Sequence, residues 1–532
     1  NTKFALPEIK VGSVIDYQVT RLVEADPFHH PFSLALERNS AGDSHSLDAG
    51  NNESWNPAPC SFYARTPLVK KEVVFDLPED FKYRAMVLND EDSIIDKDVK
   101  LVDGRRIVSY RSKRAQAAEP KEYAQPAMAE YQPLVLFGEK TSWKALHRAV
   151  RDYFVPSKAD MKAAKARLSA MKEARDEKGR LQPGDIYRYC ALELSHPSIG
   201  LRDYSPKPRP VAEILESNRA SRLDSAWALL CLLRAEGYEV DLGFLPLPWF
   251  SRRIVKGFPS LAHLSVPLCR VVSGERVHYV YASDNLLPFA DSATAWEGRD
   301  FVVLSKKDIV FDEIPKSGRR ITSSRIHGKL SADGDLLVSR FQLSPKGTFQ
   351  KSYRSLRSVL KKLWKIRAEA MVTAPLHPNA RLQSFDFKGV EDLSKDVVAR
   401  LSADIPNYAN VAGKLIFFKL PLVKYSMPRS AASKTRETAD ISLGTPYKRF
   451  RHFSIELPDN AKLYYKPDNL SIDEVDLRYR CNLLVKKGRL VFDELYEVKG
   501  PRFPREFYEE YQEFCKELAD FSSDYIIFEL QD

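Results

Sequence analysis

Cysteine is scarce in this sequence, which holds six cysteines in 532 residues, and no two of them form a Cys-x-x-Cys pair. This scarcity argues against a disulfide-dense scaffold and against a structural zinc site, although one or two isolated bridges stay open. No hydrophobic run approaches the roughly 18 residues that a membrane-spanning helix needs. We therefore expect no transmembrane segment in this chain.

Clustering of charge is also absent, because the 82 lysines and arginines are spread along the chain among 72 acidic residues. No helix-turn-helix or zinc-finger pattern accompanies the net charge of +10, so we expect no nucleic-acid partner. His29 and His30 are adjacent, and adjacent strand residues point to opposite faces, so we do not expect them to share a metal ion. We expect neither a bound metal nor a cofactor.

The chain does have the ordinary composition of a soluble globular protein, with 44% hydrophobic and 29% charged residues. Its length allows roughly two to four domains with full cores. Alternating apolar and polar residues predict an N-terminal β-sandwich-like domain over residues 1–138, with a hairpin around Asp103-Gly104.

A helical pattern begins near Thr141 and gives way to predicted strands at Leu264–Val272, His278–Ala282 and Phe301–Leu304. Helices followed by strands are typical of an α+β core, which we place at residues 139–315. Residues 316–532 read as a C-terminal β-rich domain with a hairpin at Gly328–Phe341. Its predicted helical insertions are Ser352–Ala368 and Val390–Ala403, followed by a helix at Glu506–Leu518.

The most informative stretch runs from Ser221 into an apolar segment that ends near Leu233. Ser221 and Asp224 have the spacing of a capping box, which predicts that a buried helix begins directly after Ser221. His263 and Asp284 follow in that order, on or next to predicted strands.

This order resembles the core of the transglutaminase-like superfamily, which shares the papain-type Cys-His-Asp arrangement. In that family the helix begins with Gly-Asp-Cys-Lys-Asp, and its cysteine is the nucleophile. With Asp224 and the apolar helix as anchors, the cysteine position here holds Arg222. The resemblance implies a papain/transglutaminase-like α+β core in which His263 and Asp284 keep the other two positions.

Other segments resemble a bacterial architecture in which β-domains of unknown function flank such a core; they are Leu6–Tyr17, Pro208–Ser217, Ile455–Pro458 and Phe507–Leu518. That architecture implies a periplasmic or cell-envelope protein of a Gram-negative bacterium. No signal peptide is visible, and Asn1 begins within a strand-like pattern, so we expect the natural protein to start further upstream.

The replaced cysteine predicts a loss of catalysis. A thiolate is stabilised at a helix N-terminus, whereas Arg222 is a permanent cation without useful nucleophilicity there. Cys231 lies nine residues later, on the opposite side of the helix and about 13 Å further along it, and we expect it in the core. Cys269 follows His263 on a predicted strand, roughly 20 Å from it.

Three functions follow from this pattern. The leading one is a pseudoenzyme that binds a polypeptide, a glycan or an envelope protein, with Arg222, His263 and Asp284 as ligand-binding candidates and Arg222 as a carboxylate anchor. The second is a hydrolase or acyl transferase in which Ser221 acts as nucleophile with His263 and Asp284, although the helix cap is a competing role for that serine. The third is a scaffold whose β-domains dock envelope proteins. We expect the basic stretch Lys351 to Arg367 to be a solvated helix face.

Overall fold

The structure is a computed structural model that describes residues 60–62, 71–112, 122–176, 179–194, 207–246, 251–260, 264–305, 307–359, 361–373, 376–419, 425–433, 435–436 and 439–531. The described part is a mixed, strand-rich α+β architecture with several separate sheets, as the sequence predicts for the class of fold. The segment Leu6–Tyr17, the pair His29-His30 and the predicted site residue His263 lie outside the described residues.

The first strands are β1 (Cys60–Ser61), β2 (Glu72–Pro78), β3 (Tyr83–Leu88), β4 (Ile95–Val102), β5 (Arg105–Ser112) and β6 (Leu134–Glu139). They form two three-stranded antiparallel sheets, ordered β1-β6-β3 and β2-β5-β4. Asp103 and Gly104 join β4 to β5 with φ values of 50° and 70°, so the predicted hairpin is confirmed. Phe75 of β2 stacks on Phe137 of β6, which gives the two sheets one shared apolar core.

The next elements are α1 (Trp143–Val150), α2 (Lys158–Glu173), α3 (Pro183–Glu193), α4 (Val211–Ser217), α5 (Arg222–Ala235), β7 (Glu239–Pro246), β8 (Leu264–Ser273), β9 (Arg276–Val280), β10 (Asp300–Leu304) and β11 (Ile309–Glu313). The strands form an antiparallel sheet ordered β11-β10-β7-β8-β9, and β8, β9 and β10 confirm the three predicted strands. Every residue of α5 from Leu223 to Leu233 is buried. A helix that is apolar all round needs such enclosure, which α2, α3, α4 and the sheet provide.

The remaining elements are β12 (Ile321–Leu330), β13 (Leu336–Pro345), α6 (Gln350–Arg354), α7 (Lys361–Thr373), β14 (Arg381–Lys388), β15 (Val398–Ile405), β16 (Asn410–Ala412), β17 (Leu415–Phe418), β18 (Ile441–Ser442), β19 (Tyr447–Glu456), β20 (Ala461–Tyr465), β21 (Ser471–Asp473), β22 (Leu477–Lys486), β23 (Arg489–Val498), β24 (Arg502–Phe503), α8 (Tyr508–Ser523) and β25 (Ile526–Leu530). An eight-stranded sheet has the order β14-β15-β13-β12-β19-β23-β22-β21. Its β12 and β19 run parallel, whereas its other neighbouring strands run antiparallel. Buried residues of α8 and of one face of this sheet belong to the same large core.

Two predictions about this last region are wrong. The segment Val390–Ala403 is not helical, because its second half enters β15, which alternates buried and partly exposed residues and pairs with strands on both sides. The basic stretch from Lys351 is not uniformly a solvated face, since Arg354 is fully buried. Its guanidinium donates to the carbonyl oxygens of Gly389 and Lys395, both at 2.5 Å, and these belong to a loop that a helical period does not reveal.

Candidate functional site

The start of α5 has the local structure that its sequence predicts. Ser221 is the N-cap, and its Oγ accepts a hydrogen bond from the Asp224 N–H at 3.1 Å. Asp224 returns the contact, since its Oδ2 accepts from the Ser221 N–H at 3.1 Å. The capping box is therefore confirmed, and the Ser221 hydroxyl oxygen is engaged with the helix backbone.

Asp224 also anchors the segment that precedes α4. Its Oδ1 accepts from the Arg209 backbone N–H and its Oδ2 from the Arg209 Nε, both at 3.0 Å. The Asp224 side chain is only 7% exposed, so this paired geometry satisfies a carboxylate that has been removed from water. The contact holds the start of α5 against the chain just before α4, which makes Asp224 a structural residue of the site.

Arg222 lies at the first position of α5, and its side chain is exposed to solvent. None of the hydrogen bonds or ion pairs between described residues involves its guanidinium. A cation at a helix N-terminus is unfavourable, because the helix dipole and the free N–H groups already make that end positive. The Asp224 carboxylate is already bound by the Ser221 N–H and by Arg209, so the exposed Arg222 guanidinium has no ion-pair partner among the described residues.

Tyr281 is influenced by two residues of the predicted site, Arg222 and Asp284. It follows β9, and burial raises the pKa of its hydroxyl, while the nearby Arg222 lowers that pKa and Asp284 raises it. Both charged residues thus lie close enough to act on one phenol. Arg222 and Asp284 therefore share an electrostatic influence on Tyr281, while their role in a common site stays a prediction.

Asp284 is held by contacts that the sequence does not reveal. Its Oδ2 lies 2.5 Å from the Lys351 Nζ of α6, and its Oδ1 accepts from the Leu286 N–H at 3.0 Å. The Tyr187 hydroxyl of α3 lies 2.9 Å from the Asp284 carbonyl oxygen. The bond to Leu286 confirms that Asp284 starts a turn, and both carboxylate oxygens have partners. Sequence reasoning missed Lys351, because no local pattern links α6 to this turn.

The described cysteines are not activated thiols. Cys190, Cys231, Cys269, Cys481 and Cys515 are free and buried. Burial raises the pKa of the Cys231 and Cys269 thiols, and the Cys269 Sγ donates to the Ala226 carbonyl oxygen at 3.2 Å. A reactive cysteine needs a lowered pKa and access to solvent, so these residues have the properties of core residues. The expectation that Cys231 lies in the core is confirmed.

Two other kinds of site receive no support from the residues that the structure describes. Among them, no group of three or more His, Cys, Asp or Glu side chains is arranged to hold a metal ion. Within the same residues, no helix combines the length and the apolar character needed to cross a membrane.

Comparisons with known proteins bear on two parts of the chain. The model of DUF3858, a domain of unknown function with a solved structure, matches residues 414–528, so the chain carries this domain there. The UPF0398 protein of Streptococcus thermophilus is 29% identical in an alignment 130 positions long, which covers 21% of this chain and 67% of that protein.

One solved structure supports a protease-like fold. A candidate protease from Parabacteroides distasonis superposes with a TM-score of 0.57 and 14% identity, over 88% of this chain and 74% of that one. At such low identity the likeness concerns the fold alone. A candidate cysteine protease from Cytophaga hutchinsonii matches with a TM-score of only 0.20 and 9% identity, over 47% of this chain and 83% of that one, and it adds nothing to this conclusion.

Proposed function

We propose that this protein is a pseudoenzyme whose protease-like region binds a polypeptide through a carboxylate held by Arg222. The observation that carries the proposal is the exposed guanidinium at the start of α5, which no described side chain neutralises. Helix N-termini favour anions, and a guanidinium can grip a carboxylate with two parallel hydrogen bonds. A carboxylate bound there would remove the unfavourable charge arrangement of the free protein.

The absence of catalysis in this proposal rests on the groups around Arg222. Arginine cannot act as a nucleophile, and the Ser221 hydroxyl oxygen accepts the capping bond from Asp224. The Asp284 carboxylate is paired with Lys351, so a histidine would have to compete with an ammonium group for it. These contacts favour binding over a Ser221-dependent reaction.

A polypeptide is the ligand that best suits this region. The likeness to a candidate protease makes an extended chain a natural occupant of the fold, and a polypeptide supplies carboxylates at its C-terminus and in acidic side chains. Tyr281, with its raised pKa, stays protonated at neutral pH and adds a neutral hydroxyl donor beside the cation. In the same proposal the protein acts in the periplasm or cell envelope of a Gram-negative bacterium, which fractionation of cells of the source organism would test.

Binding can be measured by fluorescence polarisation with labelled random decapeptides of Gly, Ser, Asp and Glu. We expect Arg222→Ala to weaken binding by about three- to tenfold, because an exposed charge contact is worth about 1 kcal/mol. The peptide affinity of Arg222→Lys should lie between those of the wild-type protein and Arg222→Ala, since lysine keeps the charge without the planar guanidinium. Arg219→Ala removes an equally exposed charge just before the cap and should leave binding unchanged.

Two results would overturn the proposal. One is unaltered peptide binding by Arg222→Ala. The other comes from incubating the wild-type protein with the peptide pool and a primary amine, then reading cleavage and cross-linking by mass spectrometry. Products formed by the wild-type protein but not by Ser221→Ala or His263→Ala would make this a serine-dependent hydrolase or acyl transferase.

A further inference from the structure

The outer face of the eight-stranded sheet carries a groove far along the chain from the start of α5. This groove, which we call the sheet groove, has a volume of about 660 Å³ and is lined by residues of β12, β19, β21, β22 and β23 and of the segment entering β21. That volume falls within the range of roughly 300–1,000 Å³ that ligand sites occupy. The function proposed above makes no use of it.

Strand register places the side chains of the groove in two rows. In the first row, Arg325 of β12 is paired with His452 of β19. His452 is also paired with Asp493 of β23, and Asp493 is paired with Asn482 of β22. Directly paired residues of neighbouring strands project from the same face of a sheet. An arginine, a histidine, an aspartate and an asparagine side chain therefore lie in a line across four strands.

The second row supplies an apolar surface and another cation. Phe450 of β19 is paired with Leu495 of β23, which is paired with Arg480 of β22. The Phe450 side chain is 40% exposed, which is unusual for an aromatic residue in the middle of a large sheet. The Arg480 side chain is 57% exposed and lies 3.6 Å from Asp473, so much of its guanidinium stays accessible.

The polar groups of the groove differ in how firmly they are held. His452 Nδ1 lies 2.8 Å from Asp493 Oδ1, and Asn482 Oδ1 accepts from Asn469 Nδ2 at 3.0 Å. These contacts fix the middle of the groove, and the Asn482 amide N–H groups make no hydrogen bond with another described residue. Arg325 is exposed and has no hydrogen bond or ion pair with another described residue, so its guanidinium is free to bind an anion.

We propose that the sheet groove binds a carboxylate-bearing sugar unit of an acidic polysaccharide. The apolar C–H face of a sugar ring can lie on Phe450, while Asn482 and Asp493 are a donor and an acceptor for its hydroxyl groups. Arg325 and Arg480 are placed to pair with sugar carboxylates. The groove has no lining residue in common with the start of α5, so the proposal does not depend on the function of Arg222.

The floor of the groove favours a glycan over a peptide. Extended peptides usually bind a sheet by adding a strand at a free edge, where main-chain groups are unpaired. Among the lining residues only Ser471 belongs to the edge strand β21. Arg325, Phe450 and Asp493 stand on interior strands, since β12 pairs with β13 and β19, β19 with β12 and β23, and β23 with β19 and β22. A ligand here must therefore be recognised by side chains, as sugars are through stacking and hydroxyl contacts.

The test is calorimetric titration of the full chain with oligosaccharides of galacturonate, guluronate and hyaluronan. We expect at least one of these to bind, and its methyl ester to bind at least tenfold more weakly. Phe450→Ala should weaken binding tenfold or more and Arg325→Gln several-fold, while Phe450→Trp should retain it. Two control variants should bind the oligosaccharide as tightly as the wild-type protein. They are Phe507→Ala, whose phenylalanine is 40% exposed like Phe450, and Arg148→Gln, which removes an exposed arginine of α1.

The outcomes separate this proposal from the previous one. Arg222→Ala should leave oligosaccharide binding unchanged, and a parallel loss in Arg222→Ala would contradict a separate site. Failure of all three acidic oligosaccharides to bind, or binding that is indifferent to Phe450→Ala and Arg325→Gln, would overturn the glycan site. Polyglutamate that binds as well as the oligosaccharides, with the same dependence on Phe450, would assign the groove to acidic peptides instead.

Discussion

The start of α5 and the sheet groove each present an exposed arginine beside polar partners, yet they are built differently. At α5 the geometry comes from the neighbouring residues Ser221, Arg222 and Asp224, with Arg209 as the one more distant contributor. In the sheet groove each of four strands contributes its residues, and only the strand register brings them together. A local site of the first kind leaves a recognisable sequence pattern, whereas the second kind leaves none.

The interiors beneath the two sites differ as well. Beneath the first, α5 is enclosed by apolar side chains, and its one buried charge, Asp224, sits at the helix end. Beneath the sheet groove a buried ionic cluster lies between the sheet and α8, where Arg451 Nη1 is 3.2 Å from Glu494 Oε2. The Tyr425 hydroxyl donates to Glu494 Oε1 at 2.6 Å and accepts from Arg449 at 2.5 Å. The sheet region therefore depends on pairing of charges that the α5 region largely avoids.

The largest effect should come from breaking this ionic cluster. The Glu494 side chain is fully buried, so Glu494→Ala leaves the cation of Arg451 without its partner in the protein interior. We expect a loss of about 3–5 kcal/mol in the free energy of unfolding, measured with urea. Glu456→Ala, which removes an exposed glutamate of the same sheet, should cost at most about 1 kcal/mol.

A double substitution tests the physical reason for that loss. Combining Arg451→Met with Glu494→Leu should recover most of the stability, because apolar groups of similar size need no charge partner. If the double variant were no more stable than Glu494→Ala, the loss would come from packing and not from an unpaired charge.

The next effect concerns the cap of α5. Asp224→Ala removes the acceptor for Ser221 and for two donors of Arg209, and we expect it to cost about 2–3 kcal/mol. Ser221→Ala removes only the bond to the Asp224 N–H and should cost about 1 kcal/mol. Asp152→Ala, at a side chain that is 77% exposed, is the matched control and should be nearly neutral. Equal losses in Ser221→Ala and Asp224→Ala, measured by urea unfolding, would contradict the anchoring role of Asp224.

The smallest effect should be a pH dependence near the sheet groove. Burial lowers the pKa of His327, and the positive charges of His452, Arg340, Arg489 and Arg325 lower it further. The pKa of His327 is lower in the folded protein than in the unfolded chain, where it is about 6.5. Neutral His327 therefore contributes fully to the free energy of unfolding above about pH 6.5, and this contribution is lost as the pH falls through the folded-state pKa. We expect His327→Gln to reduce the loss of urea stability between pH 7.5 and pH 5.5. If this variant lost as much stability over that pH range as the wild-type protein, His327 would not be the source of the pH dependence.

The structure places helices before strands around α5, in the order that the residue pattern predicts. The apolar run after Ser221, the capping box and the three following strands are as the sequence predicts, because each signal acts over a few residues. The sequence predicts a helix where the structure has strand β15, because short alternating and helical patterns are hard to distinguish without the neighbouring strands.

The sequence by itself determined where α5 begins and that Asp224 completes its cap. That Arg222 replaces a nucleophile stays a prediction from the resemblance. Only the tertiary structure decided that Lys351 neutralises Asp284 and that Arg354 is buried among loop carbonyls. It alone also assembled Arg325, Phe450 and Asp493 into one groove. The physical reason is range: caps, turns and hydrophobic periods are set by bonds between near neighbours, whereas ion pairs and sheet surfaces join residues whose proximity depends on the packing of the whole chain.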